Sequence, residues 1–390
     1  MKGKYFYLCA ALFALNSCTN EINEDGFVDK SNTISFNSST PKTRTYTSGD
    51  VGCTDKLQEG EFGVVGYSNK ALYLGATGKA AKQTYVDGNW NYANPSEIRY
   101  WPNNNMDFYA YFPFAENGDV FSNDNNSGNV MIITNNTGNQ DVLFASAPNQ
   151  KRVDRVDLQF HHAFSKIGGI NIQILNKDVT VEVKKVELIN TSTKGQVLVD
   201  VNGKASYGTK TEHRAKEMNS PVTITKANTY GDGNNPTYAT LVNNNDNGYI
   251  FATNGTETNY VTGTGKALWD GTKNSLTQGT TLETLDQVCL KLTCKVTTPM
   301  TSVAGTDRYY HVGSASDYGV MYIPITGSAC GFNPTDANQT ALLAGKRYIY
   351  NIIMKDNVGF DVNGDAILLP ILFKSTSVDS WNDVTVTITL

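Results

Sequence analysis

Trp381-Asn-Asp-Val-Thr-Val-Thr-Ile-Thr-Leu390 ends the chain in strict alternation. Val384, Val386, Ile388 and Leu390 fall on one side, and Thr385, Thr387 and Thr389 on the other. A period of two built largely from β-branched residues marks a strand with one face buried. The pattern runs to the last residue, where a terminus ordinarily frays. Such a strand needs a sheet to join, either in its own domain or in another molecule.

Outward from this stretch the same signature recurs. Glu61-Phe-Gly-Val-Val-Gly-Tyr67 and Met106-Asp-Phe-Tyr-Ala-Tyr-Phe112 read as strands, the second ended by Pro113. So do 89–92, 98–101, 130–134, 142–145, 168–175, 181–189, 196–201, 285–296, 319–325, 346–354 and 366–373, with turns such as Asn94-Pro95 and Asn103-Asn-Asn105 between them. No long stretch after the N-terminus holds a helical period. Short strands at this spacing, joined by polar turns, predict an all-β chain of sandwich type. The 21 Tyr and 34 Gly suit strands and turns. A chain of 390 residues predicts two or three domains. We place the junction near His162–Ser165, giving units at 45–163 and 164–390. The polar interval 203–280, with isolated strands such as Val222–Thr225 and Tyr249–Ala252, reads as long loops inserted on the second unit, where ligand contacts tend to lie.

The first residues are a different kind of segment. Lys2 and Lys4 precede an apolar run, 5–15, and then Asn16-Ser17-Cys18. A positive start, a short apolar core and small residues before a cut describe a secretory signal over 1–17. The cysteine at the cut resembles the lipobox of bacterial lipoproteins. By that resemblance Cys18 is the lipidated first residue of the mature chain, and several acyl chains give stable membrane anchoring. Residues 18–44 then form a tether carrying a short strand at 33–37, with Ile34 and Phe36 facing inward. Ser38-Ser-Thr-Pro-Lys-Thr-Arg44 follows as an exposed linker open to proteolysis. Arg44 is either a processing site or an ordinary linker arginine.

Several function classes are disfavoured. A net charge of −5 does not suit a nucleic-acid partner. The chain has no Gly-x-Ser-x-Gly, His-Glu-x-x-His, P-loop or Rossmann glycine pattern, so we expect no enzyme and no cofactor. His161 and His162 point to opposite sides of an extended segment and cannot share one site. Asp361-x-Asn363-x-Asp365 begins like a calcium loop. It lacks the glycine after its third ligand and the twelfth-position glutamate, so a turn is expected and no metal site. After Cys9 leaves with the signal and Cys18 takes lipid, Cys53, Cys289, Cys294 and Cys330 remain. Their pairing is not readable from sequence. Cys289 and Cys294 face opposite sides of one strand, which excludes a bond between those two. Trp90, Tyr92, Tyr100, Trp101 and Trp269 leave one alternative open: aromatic faces stack on sugars, so the chain could be a glycan-binding surface lipoprotein that does not polymerise.

The order of motifs is similar to a known family. The lipobox is followed by Ile34-Ser-Phe36, Lys42-Thr-Arg44, Phe62-Gly-Val-Val-Gly-Tyr67, Tyr100-Trp-Pro102 and Phe108-Tyr-Ala-Tyr-Phe-Pro113. Then come Asp141-Val-Leu-Phe-Ala-Ser-Ala147, Leu158-x-Phe-x-His-x-x-Phe-Ser-Lys-Ile167, Gly345-Lys-Arg-Tyr-Ile-Tyr-Asn351 and the Trp381 strand. Together these resemble the fimbrillin family of Bacteroidales, the type V pilins. The resemblance implies two transthyretin-like β-sandwich domains in tandem and export to the outer membrane as a lipoprotein. It also implies cleavage by a trypsin-like protease after an arginine near the first strand, here Arg44. Loss of Ile34 and Phe36 would open a groove. A strand such as 384–390, presenting Val384, Val386, Ile388 and Leu390, would fill the groove of a neighbouring fimbrillin subunit. Repetition would build a surface fimbria that supports adhesion to a host or bacterial ligand.

Overall fold

The computed structural model describes residues 32–40, 57–115, 121–124, 128–135, 141–191, 194–211, 214–229, 237–243, 249–250, 266–271, 276, 280–285, 287–299, 308–326, 341–354, 359–365, 367, 372–379 and 383–389. These residues are almost all strand and turn, as expected.

Met106–Phe112 sits inside a seven-stranded sheet. It pairs antiparallel with Glu61–Ser68 on one side and Leu143–Gln150 on the other. Ala81–Val86 and Asn89–Tyr92 extend the sheet beyond Glu61–Ser68. The near-continuous apolar run of Met106–Phe112 follows from burial on both faces. Met106, Phe108, Ala110 and Phe112 pack into one cluster, with Phe62, Trp90, Trp101, Leu158 and Phe160. Tyr109 and Tyr111 face another, with Tyr67, Phe144 and Phe164.

Each face has its own cover. The first carries Phe36–Ser39, paired in parallel with Val156–Gln159. The second carries a four-stranded sheet in the order Ala205–Thr211, Lys194–Asp200, Asn129–Asn135, Phe121–Asp124. Lys194–Asp200 lies past the expected boundary at 163, yet pairs with Asn129–Asn135 from before it. Val197 and Val199 join the Tyr109 cluster, and the Tyr109 hydroxyl donates to the Val201 carbonyl at 2.7 Å. The chain thus returns to the first set of sheets after having left it.

Most of the remaining strands form two sheets over one core, while Lys266–Ala267 and Ala341–Leu342 pair as a separate two-stranded sheet. Ser165–Ile174 opens a six-stranded sheet, in the order Ala239–Val242, Ser165–Ile174, Arg347–Met354, Asp383–Thr389, Leu372–Asp379, with Tyr249–Ile250 also on Ser165–Ile174. The facing sheet runs Arg214–Thr225, Thr180–Ile189, Cys289–Pro299, Arg308–Val312, with Gly319–Ile323 also on Cys289–Pro299. Ile170, Ile172, Val181, Val183, Leu290 and Ile352 interlock between them.

Some expected elements differ. Residues 98–101 are not a strand. A 3-10 turn at Pro95–Glu97, capped by the Asn94 side chain, displaces it, and Tyr100 makes only an isolated bridge with Thr33. The interval 203–280 contains the strand Ala205–Thr211, where loop is expected, and Arg214–Thr225, which extends the strand expected at Val222–Thr225. The Asp361 segment is a turn. The Asp361 carboxylate accepts the backbone N–H of Asn363 and of Asp365 at 2.8 and 2.9 Å, as an Asx turn does. Cys289 and Cys294 are both buried and free, in different clusters. Burial raises both thiols far above their ordinary range, which leaves them unreactive.

Candidate functional site: the seat of the N-terminal strand

Residues 33–40 lie across one face of the seven-stranded sheet. Their alternation sends Ile34, Phe36, Ser38 and Thr40 toward it. Ile34 is 0% and Phe36 1% exposed. Phe36 meets three rings edge-on: Phe108 at 5.4 Å, and Phe62 and Tyr92 at 6.4 Å each. Ser38 Oγ accepts the indole N–H of Trp90 at 2.7 Å, and Thr40 is buried. The outward residues are polar. Ser35 Oγ donates to the Asp154 carbonyl at 2.6 Å, and Asn37 Nδ2 donates to Asp157 Oδ1 at 3.0 Å.

The backbone is held at both ends. Ile34 N–H donates to the Arg99 carbonyl, and Trp101 N–H to the Asn32 carbonyl. Val156 N–H donates to the Ser35 carbonyl and Phe160 N–H to that of Ser39, both at 2.8 Å. Burial of one Ile and one Phe stabilises such a segment by about 1.5–3 kcal/mol each. Against that, Gln83 Oε1 and Nε2, Tyr92 Oη and Trp101 Nε1 are buried with no hydrogen-bond partner among the described residues. Gln83 lies between Phe62 and Tyr92 in the cross-strand row, beneath Phe36. Each unsatisfied buried group costs roughly 1–3 kcal/mol. The floor is therefore apolar and aromatic, but imperfectly satisfied.

Of the residues expected to act together, Ile34 and Phe36 are inward as predicted, though the strand itself runs Phe36–Ser39. Cys18, Arg44, Trp381 and Leu390 lie outside the described residues, as do Cys53 and Cys330. Val384, Val386 and Ile388 lie in Asp383–Thr389, whose backbone pairs in parallel with Arg347–Met354 and antiparallel with Leu372–Asp379. The terminal strand is thus an interior strand of its own sheet. The aromatic residues suggested for sugar stacking are largely core. Trp269 is 0% exposed and packs edge-on against Phe360 at 5.2 Å, while Trp90 and Trp101 are buried beneath the seated strand. No indole face of these three is open to stack on a glycan.

The paired histidines have separate roles. His162 Nδ1 lies 2.9 Å from Asp141 Oδ1, whereas His161 packs against the Phe144 ring. Burial first, then the neighbouring His162, pushes His161 down to about 4. The unfolded chain, with an ordinary imidazole near 6.5, therefore takes up the proton first as pH falls. The contribution of neutral His161 is present above that value and is lost on the way down to about 4. His161→Phe is expected to flatten the fall in melting temperature between about pH 7 and pH 5. An unchanged pH profile would refute this assignment.

Comparison with known proteins places this architecture. A family model described as fimbrillin-like matches residues 43–366. The chain belongs to the fimbrillin-like family. Among solved structures, a fimbrial protein from Bacteroides vulgatus is similar at 13% identity and a TM-score of 0.40, covering 92% of this chain and 97% of that one. A fimbrilin from Porphyromonas gingivalis is similar at 10% identity and a TM-score of 0.36, covering 92% and 96%. The assignment rests on the family model and not on these likenesses. No curated protein matches the chain. The matched part of this fimbrillin-like chain begins after the seated strand and stops before Leu372–Asp379 and Asp383–Thr389.

Proposed function

We propose that this fimbrillin-like chain is a structural subunit of a cell-surface fimbria, exported to the outer membrane as a lipoprotein through Cys18. Cleavage after Arg44 releases residues 18–44. The emptied seat then takes a strand from the C-terminal end of a neighbouring fimbrillin subunit. One observation carries this reading: Ile34 and Phe36 are fully buried in the aromatic cluster, ten and eight residues before Arg44. Removing them would expose apolar rings and unpaired backbone of Val156–Gln159, a surface that recruits an added strand. Donor and seat are different surfaces, so the contact repeats head to tail and builds a fibre rather than a closed ring. The unsatisfied groups beneath the strand suit a seat that is vacated during assembly.

The test is the N-terminus of subunits in isolated fibres. We expect it to begin at Thr45. Arg44→Ala should leave the chain membrane-bound and reduce fibres to background on immunogold counts. Fibre subunits that still begin at Cys18 would refute processing.

A further inference from the structure

One end of the seven-stranded sheet carries a polar trough that neither the core nor the seated strand accounts for. We infer that this trough binds a neutral sugar unit of a surface glycan, through asparagine carboxamides and not through indole rings. Such a site works whether or not strands are exchanged through the seat.

Register fixes its place. Met106 opens its strand and pairs with Ser68 on one side and Gln150 on the other. The chain leaves for the other sheets from the opposite end. There His162 pairs with Leu143, and the Ala163 N–H donates to the Val142 carbonyl. The seven residues of Met106–Phe112 separate the two ends, a span of about 20 Å. The trough therefore lies at the free end of the first set of sheets, far from the junction.

Three segments supply its polar part, a cleft of about 430 Å³. The first is the turn Asn69–Lys70 between Glu61–Ser68 and Ala71–Leu74, at φ 50° and 64°. Two left-handed residues make the type I′ hairpin turn, where glycine is usual at the second place. Lysine there strains the backbone and sets an ammonium in the cleft wall. The second segment is Asn103–Asn105. The third is Asn149, also left-handed at φ 55°. Asn149 N–H donates to Asp107 Oδ1 at 2.7 Å, and Asn149 Oδ1 accepts from Asn105 Nδ2 at 2.6 Å. These bonds hold the wall in place. The side chains of Asn69, Lys70, Asn103 and Asn104 are exposed and make no hydrogen bond among the described residues. Lys70 and Asp107 also border a second cleft of about 320 Å³, walled by Val130, Val201, Tyr67 and Tyr109. The Tyr67 and Tyr109 hydroxyls donate to the Val130 and Val201 carbonyls at 2.9 and 2.7 Å, which ties this wall across two sheets. Val201 itself is 56% exposed.

The chemistry of the lining selects the ligand. Both volumes lie in the range of small-ligand clefts, but an apolar ligand calls for a mainly hydrophobic lining. A single carboxylate, already accepting a backbone N–H, gives a hard cation little charge to bind. Lys70 and Asp107 offset each other, so no net charge favours an anion. Each carboxamide offers donors and an acceptor side by side. Adjacent sugar hydroxyls require the same combination. The group that fits is an uncharged, hydroxyl-rich ring. Its edge meets the asparagines and its C–H face rests on Val201.

The experiment is binding of the full chain to a glycan array. The array carries neutral hexose and N-acetylhexosamine oligosaccharides, sialylated oligosaccharides, and neutral polysaccharide purified from the producing cells. We expect binding to neutral saccharides. A signal on the oligosaccharides marks a host source, and one on the cells' own polysaccharide a self source. Asn103→Ala with Asn104→Ala should weaken binding about tenfold, as the loss of two hydrogen bonds does. Val201→Ser should weaken it by a smaller factor, since the carbonyl that holds Tyr109 is kept. Val86→Ser changes a comparably exposed valine at the opposite end of the sheet and should leave binding as it is. If the double variant melts early, Asn104→Asp takes its place, because it keeps the size and removes the donor N–H. Binding that ignores the asparagine and Val201 variants would overturn this site. Binding confined to sialylated saccharides would overturn the neutral class. No binding to any member of the array would overturn the sugar assignment, and fibre assembly would stand apart from all three results.

Discussion

Asn37→Cys combined with Asp157→Cys is expected to abolish fibre assembly under oxidising conditions without preventing cleavage. The two residues are ladder partners, both side chains are exposed, and their polar groups already touch at 3.0 Å. Neighbouring strands lie about 4.8 Å apart, within the roughly 4.4–6.8 Å Cα separation a disulfide spans. The bond would tie the strand to the 156–159 segment on the far side of the proposed cut. A protease could still sever the chain after Arg44, but the strand would stay in its seat. This separates two steps that Arg44→Ala confounds, since that variant blocks cutting and release together. The oxidised protein should show two polypeptides after reduction, remain as single subunits before it, and assemble once a thiol reagent is added. Release of one bond thus controls a change from background to full assembly. Oxidised, cut protein that still forms fibres would show that assembly does not use this seat.

Much of the fold was readable because burial imposes a period. Met106–Phe112 announces itself by having both faces covered, and Ile34 and Phe36 by alternating with polar neighbours. Ala81–Val86 carries no such period. Its buried positions are Ala81 and Gln83, and neither carries a hydrophobic signal of useful size. Ala205–Thr211, and Arg214–Thr225 ahead of Val222, carry no such signal in a Thr- and Lys-rich interval. Their regularity comes from the strands they pair with, Lys194–Asp200 and Thr180–Ile189, and not from local preference. Periodicity also says that a strand has a buried face without saying which sheet supplies it. Val197 and Val199 alternate as well as any residues beyond 164, yet they cover the face of Tyr109 and Tyr111. The partner of Phe36–Ser39 is 120 residues away in sequence and runs parallel to it, a pairing no local pattern encodes. The terminal strand shows the same limit. Its alternation is evident, but its place between two other strands is a property of the sheet.

Phe36→Ala is expected to loosen the seated strand selectively, by the largest margin of any single truncation within it. The ring is 1% exposed and touches Phe62, Tyr92 and Phe108, so its removal forfeits transfer energy and leaves a cavity walled by rings that cannot easily close in. Such truncations cost about 3–5 kcal/mol. At about 1.4 kcal/mol per decade, that raises the population of the unseated strand on the order of a hundredfold to a few thousandfold. Among the described residues the strand pairs only with Val156–Gln159 and, through Thr33, with Tyr100. Its departure is therefore a local opening and not a global one. Hydrogen exchange at the backbone amides of 34–39 should accelerate by that factor, while Met106–Phe112 and Ser165–Ile174 keep most of their protection. Phe36→Leu, which retains an apolar side chain, should fall between. Equal acceleration in all three segments would mean that the strand cannot leave without unfolding the molecule. That result would remove the physical basis for an exchangeable seat. If the split is seen, the uncut Phe36→Ala chain should also exchange strands before cleavage. The resident Phe36 would then be what keeps the subunit single until the linker is cut.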